Sequence, residues 1–183
     1  VSLPTIDMAV ALRDLSGNKD ERVNAAATYK PKIKSFNNKE KLINQLGDGL
    51  YTAILLCYAQ GLAMLSKAST DRKMDIPLKD VVKIWRGGCI IRSAMLEHFI
   101  TAFKKNTAIN NILLDKKIAG IIKKKQAGLR KIIPQYASAR IPAAAMMSAL
   151  AYLDAYTSER LPINLVQAQR DFFGAHTYKR VDQ

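Results

Sequence analysis

Apolar residues recur at helical spacing along almost the whole sequence. We find no run with the strict apolar–polar alternation of a half-buried strand, and no Asn-Gly or Asp-Gly pair of the kind that closes a β-hairpin. The pattern therefore predicts an all-α fold. The 183 residues are the length of one domain, so we expect a single multi-helix domain over 1–183.

Helix-breaking and capping residues divide this pattern into segments. Pro4 fits the first turn of a helix that Gly17 follows, Asn38 is a candidate N-cap, and Pro134 is expected to stop a helix. The predicted helices run from Pro4 to about Leu15, Lys19 to Ala27, Lys39 to Ser69, Leu78 to about His98, a short one through Phe103, 115–133, 140–156, and from near Pro162 to just before Gly174.

Two of these segments are apolar on all sides, namely the second half of 39–69 and the segment 140–156. We expect them to be two long buried helices wrapped by the amphipathic ones. Gly87 and Gly88 fall inside the predicted helix 78–98 and would each cost about 1 kcal/mol relative to Ala. A close approach of another backbone is expected to offset that cost.

The apolar run 50–65 contains Gln60 and Gly61 and is shorter than the roughly 20 residues that span a bilayer. It is expected to be a core helix and not a membrane segment. Nothing at the start has the pattern of a signal peptide, so we expect a cytoplasmic protein without a membrane partner.

The charge is strongly positive, with 29 Lys and Arg against 15 Asp and Glu and a formal net charge of +14. Such a chain attracts anions, whether phosphorylated metabolites, nucleic acid or an anionic membrane. Seven basic residues cover one side of the segment 115–133. Because that side carries no aromatic residue for base stacking, and no helix-turn-helix or zinc pattern is present, we expect a solvated face and no nucleic-acid partner.

The sulfur and imidazole groups give little sign of chemistry. Cys57 and Cys89 lie in apolar stretches and are expected to be buried thiols. His98 and His176 have no second ligand at i+3 or i+4, so we expect no metal site. Glycine-rich phosphate loops, nucleophile motifs and paired carboxylates are also missing from the sequence.

Arg13 is the first candidate binding residue. It shares a helix face with Ile6 and Val10, while a second apolar row occupies another side, so we expect it near the interior or at an interface. A guanidinium there needs an anion. Spacing alone leaves two partners open: an internal carboxylate such as Asp7 or Asp154, or the phosphate of a ligand.

Arg170 and His176 form the second candidate, near the end of the sequence. Arg170 is expected in the last turn of the final helix, and Gly174 is expected to supply the left-handed residue that ends it. The segment after Gly174 would then turn back, so that His176 and Arg170 face one small volume. The alternative is that Arg170 only complements the helix C-terminus and His176 is an ordinary surface residue. Arg86 and Arg92 we interpret as partners in buried ion pairs.

Four stretches resemble the C-terminal all-helical domain of the 6-phosphogluconate dehydrogenases. They are "LRDLSGNKDERV" at 12–23, "CYAQG" at 57–61, "WRGGCIIRS" at 85–93 and "LPINLVQAQRDFFGAHTY" at 161–178. They occur in the family's order across almost the whole sequence, and the last two are long and specific.

The resemblance implies oxidative decarboxylation of 6-phosphogluconate to ribulose 5-phosphate and CO2 by a homodimer that reduces NADP without a metal. It implies that Arg13 and Arg170 bind the substrate phosphate and that His176 contacts the substrate. In the family the last two residues reach into the site of the other subunit.

Several parts of the family pattern have no counterpart in these 183 residues. They are the nucleotide-binding domain, which would hold most of the NADP, the helix with the catalytic lysine and its acid partner, the "KGTGxW" motif, and the C-terminal tail. We therefore expect part of a longer enzyme, with no catalytic residue in this chain and no dehydrogenase activity from it alone. A non-catalytic helical assembly module and a basic nucleic-acid-binding protein are the alternatives.

Overall fold

The computed structural model describes residues 1–180, and this part of the chain consists of eight α-helices and one short 3₁₀ helix. The all-α prediction is confirmed. The elements are α1 (Pro4–Gly17), α2 (Lys19–Tyr29), α3 (Lys39–Asp71), α4 (Leu78–Ile84), α5 (Leu96–Lys105), the 3₁₀ helix Ile112–Leu114, α6 (Lys116–Ser138), α7 (Ala144–Tyr156) and α8 (Asn164–Gly174).

Helix α3 is the centre of the fold. It packs most extensively along α6 and also against α7, while α1 packs on α7 and α4 pairs with α5. Among the described helices α3 has the length and hydropathy of a membrane span. Its buried residues contribute to the common core, as expected for a core helix. The largest fully buried side chains of that core are Phe99, Phe103, Leu55, Leu56, Leu62, Leu96, Ile112, Ile118, Leu129 and Ile132.

Side-chain caps fix the start of both long helices. The Asn38 side chain accepts a hydrogen bond from the Lys41 N–H at 2.9 Å, which confirms the predicted cap of α3. Asp115 accepts from the N–H groups of Lys117 and Ile118 at 2.9 and 3.0 Å and so caps α6. Its carboxylate also complements the positive end of the helix dipole.

Helix α1 has a cap that comes from another helix. The residue before it, Leu3, offers no side-chain acceptor. Instead Gln60 of α3, which is fully buried, accepts from the Thr5 N–H at 3.1 Å and donates to the Thr5 hydroxyl at 2.8 Å. This reciprocal pair satisfies one of the N–H groups that every helix start leaves open, and it fastens α1 to the core.

The predicted single helix from Leu78 to about His98 is wrong. Helix α4 ends at Ile84, the chain turns through Gly88 in a left-handed conformation with φ of +66°, and α5 begins at Leu96. That conformation is costly for residues with a Cβ and free for glycine. The expected close approach of a backbone is absent here, because a Cβ at Gly88 would meet no atom within 4 Å.

The expected stop at Pro134 is also wrong, since α6 continues through it to Ser138. Contacts beyond the proline hold the last turn. Gln135 donates to the Gln45 side chain at 2.7 Å, and the Tyr136 ring lies 6.0 Å from Phe36. Packing therefore offsets the lost backbone hydrogen bond. The other predicted buried helix, α7, begins at Ala144 and is 13 residues long.

The backbones of α3 and α6 approach each other closely at two glycines. A Cβ built on Gly128 would lie 2.6 Å from the Asp48 Cβ and 2.8 Å from the Gln45 carbonyl oxygen. Gly49 faces the same crossing, with the Leu129 backbone 3.2 Å from its Cβ position. At this short separation Lys125 reaches Asp48 at 2.5 Å.

Two helices stand apart from the core. Neither α2 nor α8 contains a buried residue or packs extensively on another element of residues 1–180. Helix α8 nevertheless carries large apolar side chains, with Phe172 85% and Phe173 78% exposed. Exposed apolar patches of this kind are typical of surfaces that contact another molecule.

Candidate functional site

Arg13 lies at an apolar groove between α1, α3 and α7. The groove has a volume of about 450 Å³, and Ile6, Val10, Leu50 and Met146 contribute to its walls. Arg13 itself is exposed to solvent in the single chain. A guanidinium beside apolar walls keeps its donors available to an anion that enters from outside.

Neither internal carboxylate is a recorded partner of Arg13 within residues 1–180. Asp154 forms an ion pair with Arg130, and this bond raises the pKa of the Arg130 guanidinium. Asp7 has no recorded ion pair with Arg13. The expectation that Arg13 is near the interior therefore fails for one chain, while an interface remains compatible with its exposure.

The end of α8 differs from the expected geometry in two ways. Gly174 stays in the helix, and the left-handed residue is Ala175, with φ of +48°. Gly174 has a different purpose: a Cβ there would lie 2.9 Å from the His176 Nε2, so the glycine makes room for the imidazole. Because α8 ends one residue later than expected, Arg170 lies four residues before its end and just outside the last turn.

Two side chains of α8 hold the segment that follows it. The Asp171 carboxylate accepts from the Thr177 N–H, and the Gln167 amide donates to the Thr177 carbonyl, both at 2.7 Å. Thr177 has a positive φ of +60°, so these bonds keep an otherwise unfavourable turn. Sequence reasoning missed this pair, although the i, i+4 spacing of Gln167 and Asp171 was visible.

Arg170 and His176 come to one face of α8. Residues four apart share a helix face, so Arg170 lies on the face of Gly174, and the His176 ring covers Gly174. Both side chains are exposed. Arg13 belongs to a different groove, whose walls include neither Arg170 nor His176. In a single chain Arg13 therefore belongs to one candidate site, and Arg170 and His176 belong to another.

The other two arginines and the two cysteines that the sequence analysis singled out show no sign of a binding site. Arg86 forms an ion pair with Glu97, but both side chains are half exposed, so the pair is not buried as expected. Arg92 is exposed, and no ion pair is recorded for it in the described chain. Cys57 and Cys89 are half-buried and not in a disulfide, and burial raises the pKa of the Cys57 thiol. No group of three potential metal ligands occurs in residues 1–180.

A model of the C-terminal domain of 6-phosphogluconate dehydrogenase matches residues 1–183, the entire sequence. The chain belongs to the 6-phosphogluconate dehydrogenase family.

Relatives named 6-phosphogluconate dehydrogenase, decarboxylating, share this similarity over the whole chain. The Lactococcus lactis strain IL1403 protein is 41% identical over 184 residues, and a Bacillus subtilis protein named as NADP(+)-dependent is 40% identical over 185 residues. The solved Plasmodium falciparum enzyme superimposes with a TM-score of 0.94 at 36% identity, and its description names NADP+ and 6-phosphogluconate complexes.

The match covers 100% of this chain but only 39% of the two bacterial relatives and 40% of the Plasmodium chain. This chain is thus aligned from end to end and spans about two fifths of the length of these relatives. The activity, substrate and assembly of the longer relatives belong to proteins more than twice this length.

Proposed function

We propose that this chain is the substrate-phosphate-binding and dimer-forming helical domain of a cytoplasmic 6-phosphogluconate dehydrogenase. The whole enzyme would oxidise 6-phosphogluconate and release CO2 and ribulose 5-phosphate while reducing NADP. The observation that carries the proposal is the family match over the entire chain. The structure supports it further, because Arg170 and His176 lie on α8 beside the exposed pair Phe172 and Phe173.

The reaction explains why a basic helical domain is useful. Hydride leaves C3 of the substrate for NADP, and the new 3-keto group accepts the electron pair that the departing CO2 leaves behind. The enediol is then protonated to the product. The role proposed for this chain is to hold the phosphate so that C3 meets the nicotinamide.

The two arginines suit the substrate phosphate. Each guanidinium offers a planar fork of donors that matches a phosphate bidentately. Arg13 and Arg170 are exposed and have no recorded ion pair in residues 1–180. We propose that Arg13 of one subunit and Arg170 with His176 of the other bind one substrate molecule.

NADP would be held mainly by the part of the longer relatives that this match does not include. Residues 1–180 contain no strand, so they lack the strand–glycine-loop–helix unit that cradles a dinucleotide pyrophosphate. Loss of Arg13 or Arg170 should therefore affect the sugar phosphate and leave NADP binding nearly unchanged.

Arg170→Ala and Arg13→Ala should each weaken 6-phosphogluconate binding to the 183-residue chain at least about tenfold. Loss of a charge-assisted hydrogen bond to phosphate costs about 1.5–3 kcal/mol, and 1.4 kcal/mol is tenfold. Calorimetric titration measures the change. Arg72→Ala, at an exposed arginine after α3, is the matched control and should stay within about twofold of the original chain.

Gluconate separates phosphate recognition from general attraction to the sugar acid. The original chain should bind gluconate much more weakly than 6-phosphogluconate, and neither arginine variant should change gluconate binding. Equal losses in Arg13→Ala, Arg170→Ala and Arg72→Ala would refute the assigned roles. A chain that dimerises and never responds to either ligand would support the assembly-module alternative.

The double substitution Phe172→Ser with Phe173→Ser should weaken the dimer about a hundredfold or more. Burying two exposed phenylalanines contributes about 3 kcal/mol or more to association. Ile84→Ser with Ile90→Ser removes two apolar side chains that are equally open, at 70% and 103% exposure, and should leave the dimer intact. Sedimentation equilibrium compares them, and unchanged association of the Phe variant would remove α8 from the interface.

A further inference from the structure

The outer face of α6 carries lysines that the proposed function does not use. Helix α6 contains seven basic residues and no Asp or Glu from Lys116 to Ser138. Two of its basic residues have partners in the fold: Lys125 with Asp48, and Arg130 with Asp154. The five others are exposed and have no recorded ion pair within residues 1–180: Lys116, Lys117, Lys123, Lys124 and Lys131.

The helix geometry sorts these five lysines into two rows. At 3.6 residues per turn, Lys116 and Lys123 lie along one edge of the outer face, and Lys117, Lys124 and Lys131 lie along the other. The rows extend over roughly 22 Å, at 1.5 Å per residue. The whole face covers about a third of the helix circumference.

Small residues occupy the line between the two lysine rows. They are Gly120 and Ala127, both exposed, and a Cβ at Gly120 would meet nothing within 4 Å. An anionic surface could therefore approach the helix backbone closely along this line, with ammonium groups on either side of it. The sequence alone favoured a solvated face. The structure adds that an open line of small residues runs between the two rows of lysines.

We propose that this face, the α6 lysine face, binds the phosphate backbone of double-stranded DNA without reading its sequence. A major groove about 12 Å wide admits one α-helix between its two phosphate rows. Lysines on both edges of the face would contact phosphates on both sides of the groove. Arg130, at the margin of this face, is paired with Asp154. Between Lys116 and Lys131 the face otherwise holds no Arg, Asn, Gln or aromatic residue, so base edges would not be recognised.

A membrane surface fits this face less well. Helices that lie on membranes insert an apolar side beneath their basic residues. The apolar side of α6, with Ile118, Ile122 and Leu129, is already buried against the core. Only the attraction between the lysines and the headgroup charges would then bind the helix to a membrane. That attraction does not require two rows of lysines.

Salt dependence gives the first test, measured by fluorescence anisotropy with a labelled 20-base-pair DNA duplex. Five phosphate contacts predict a slope of about −4.5 for log K against log salt, or a loss of roughly 500-fold between 50 and 200 mM. The variant with all five face lysines changed to Gln should lose most of this slope. A matched variant that changes Lys19, Arg72, Lys73, Lys104 and Lys105 to Gln should keep it within about one unit.

A second variant tests the geometry without changing any charge. Gly120→Leu with Ala127→Leu places bulk on the central line of an exposed face, so the fold should persist, while duplex binding should fall at least about tenfold if close approach matters. Circular dichroism checks the fold. A single strand of equal length should bind more weakly than the duplex.

Three results would overturn the proposal. Equal losses in the two five-residue variants would reduce the effect to net charge. Unchanged duplex binding in the Gly120 and Ala127 variant would reject the groove geometry. Stronger binding to phosphatidylserine vesicles than to the duplex, abolished by the lysine variant, would make this a membrane surface.

Discussion

Gly128→Ala is expected to lower the free energy of unfolding by about 3 kcal/mol, because the added methyl group enters the crossing of α3 and α6. Its Cβ would lie 2.6 Å from the Asp48 Cβ, and 2.8 and 2.9 Å from backbone atoms of Gln45 and Gly49. Backbone atoms cannot rotate away as a side-chain end can. The two central helices must separate, and every contact along them weakens.

A glycine-to-alanine substitution on the exposed face of the same helix serves as the control. Gly120→Ala on α6 meets nothing within 4 Å, so it should raise stability by roughly 1 kcal/mol through helix propensity alone. Urea denaturation followed by circular dichroism measures both variants. If the two variants shift the midpoint in the same direction, steric exclusion at Gly128 is not what limits the crossing.

Gln60→Leu is expected to destabilise the domain by about 2–4 kcal/mol, although the two side chains have similar volume. The Thr5 N–H and hydroxyl would lose their buried partner, and leucine offers neither an acceptor nor a donor. Since the same pair caps α1, the first turns of that helix should fray. Arg13, two turns further along α1, would then lose its fixed position relative to α3.

Two readouts separate this effect from a general loss of packing. Amide hydrogen exchange should quicken first over residues 4–17, and calorimetry should show weaker 6-phosphogluconate binding under conditions where the chain is still folded. Gln126→Leu is the matched control, because Gln126 is only half-buried and bonds to the exposed Arg130. It should change stability by less than about 0.5 kcal/mol. Similar losses in both variants would contradict the role assigned to Gln60.

Local sequence signals predicted most of the fold where local physics decides the outcome. The spacing of apolar residues identified the helices, and Asn38 was recognised as a cap because its side-chain acceptor acts within three residues. The predictions that failed depended on distant partners. Gly87 and Gly88 suggested a tight helix crossing, yet the crossing occurs at Gly49 and Gly128, which a single sequence cannot pair.

The same division applies to the candidate site. The apolar rows of α1 pointed to Arg13, the expected end of the last helix pointed to Arg170 and His176, and the resemblance to the family implied a substrate contact for all three. Sequence reasoning could not find that Gln60 holds α1, because the two bonded residues are 55 positions apart. Nor could it assign Gly174 correctly, since a glycine at a helix end usually provides the left-handed turn, and here it makes room for a neighbouring imidazole.

The isolation of α8 gives the domain a natural order of assembly. Short helices in water gain most of their stability from an apolar partner, and the described chain offers α8 none of significant size. The helices that form the core can therefore pack together before α8 is fixed. Brief trypsin treatment should therefore cut early at the exposed Arg160 and release α8.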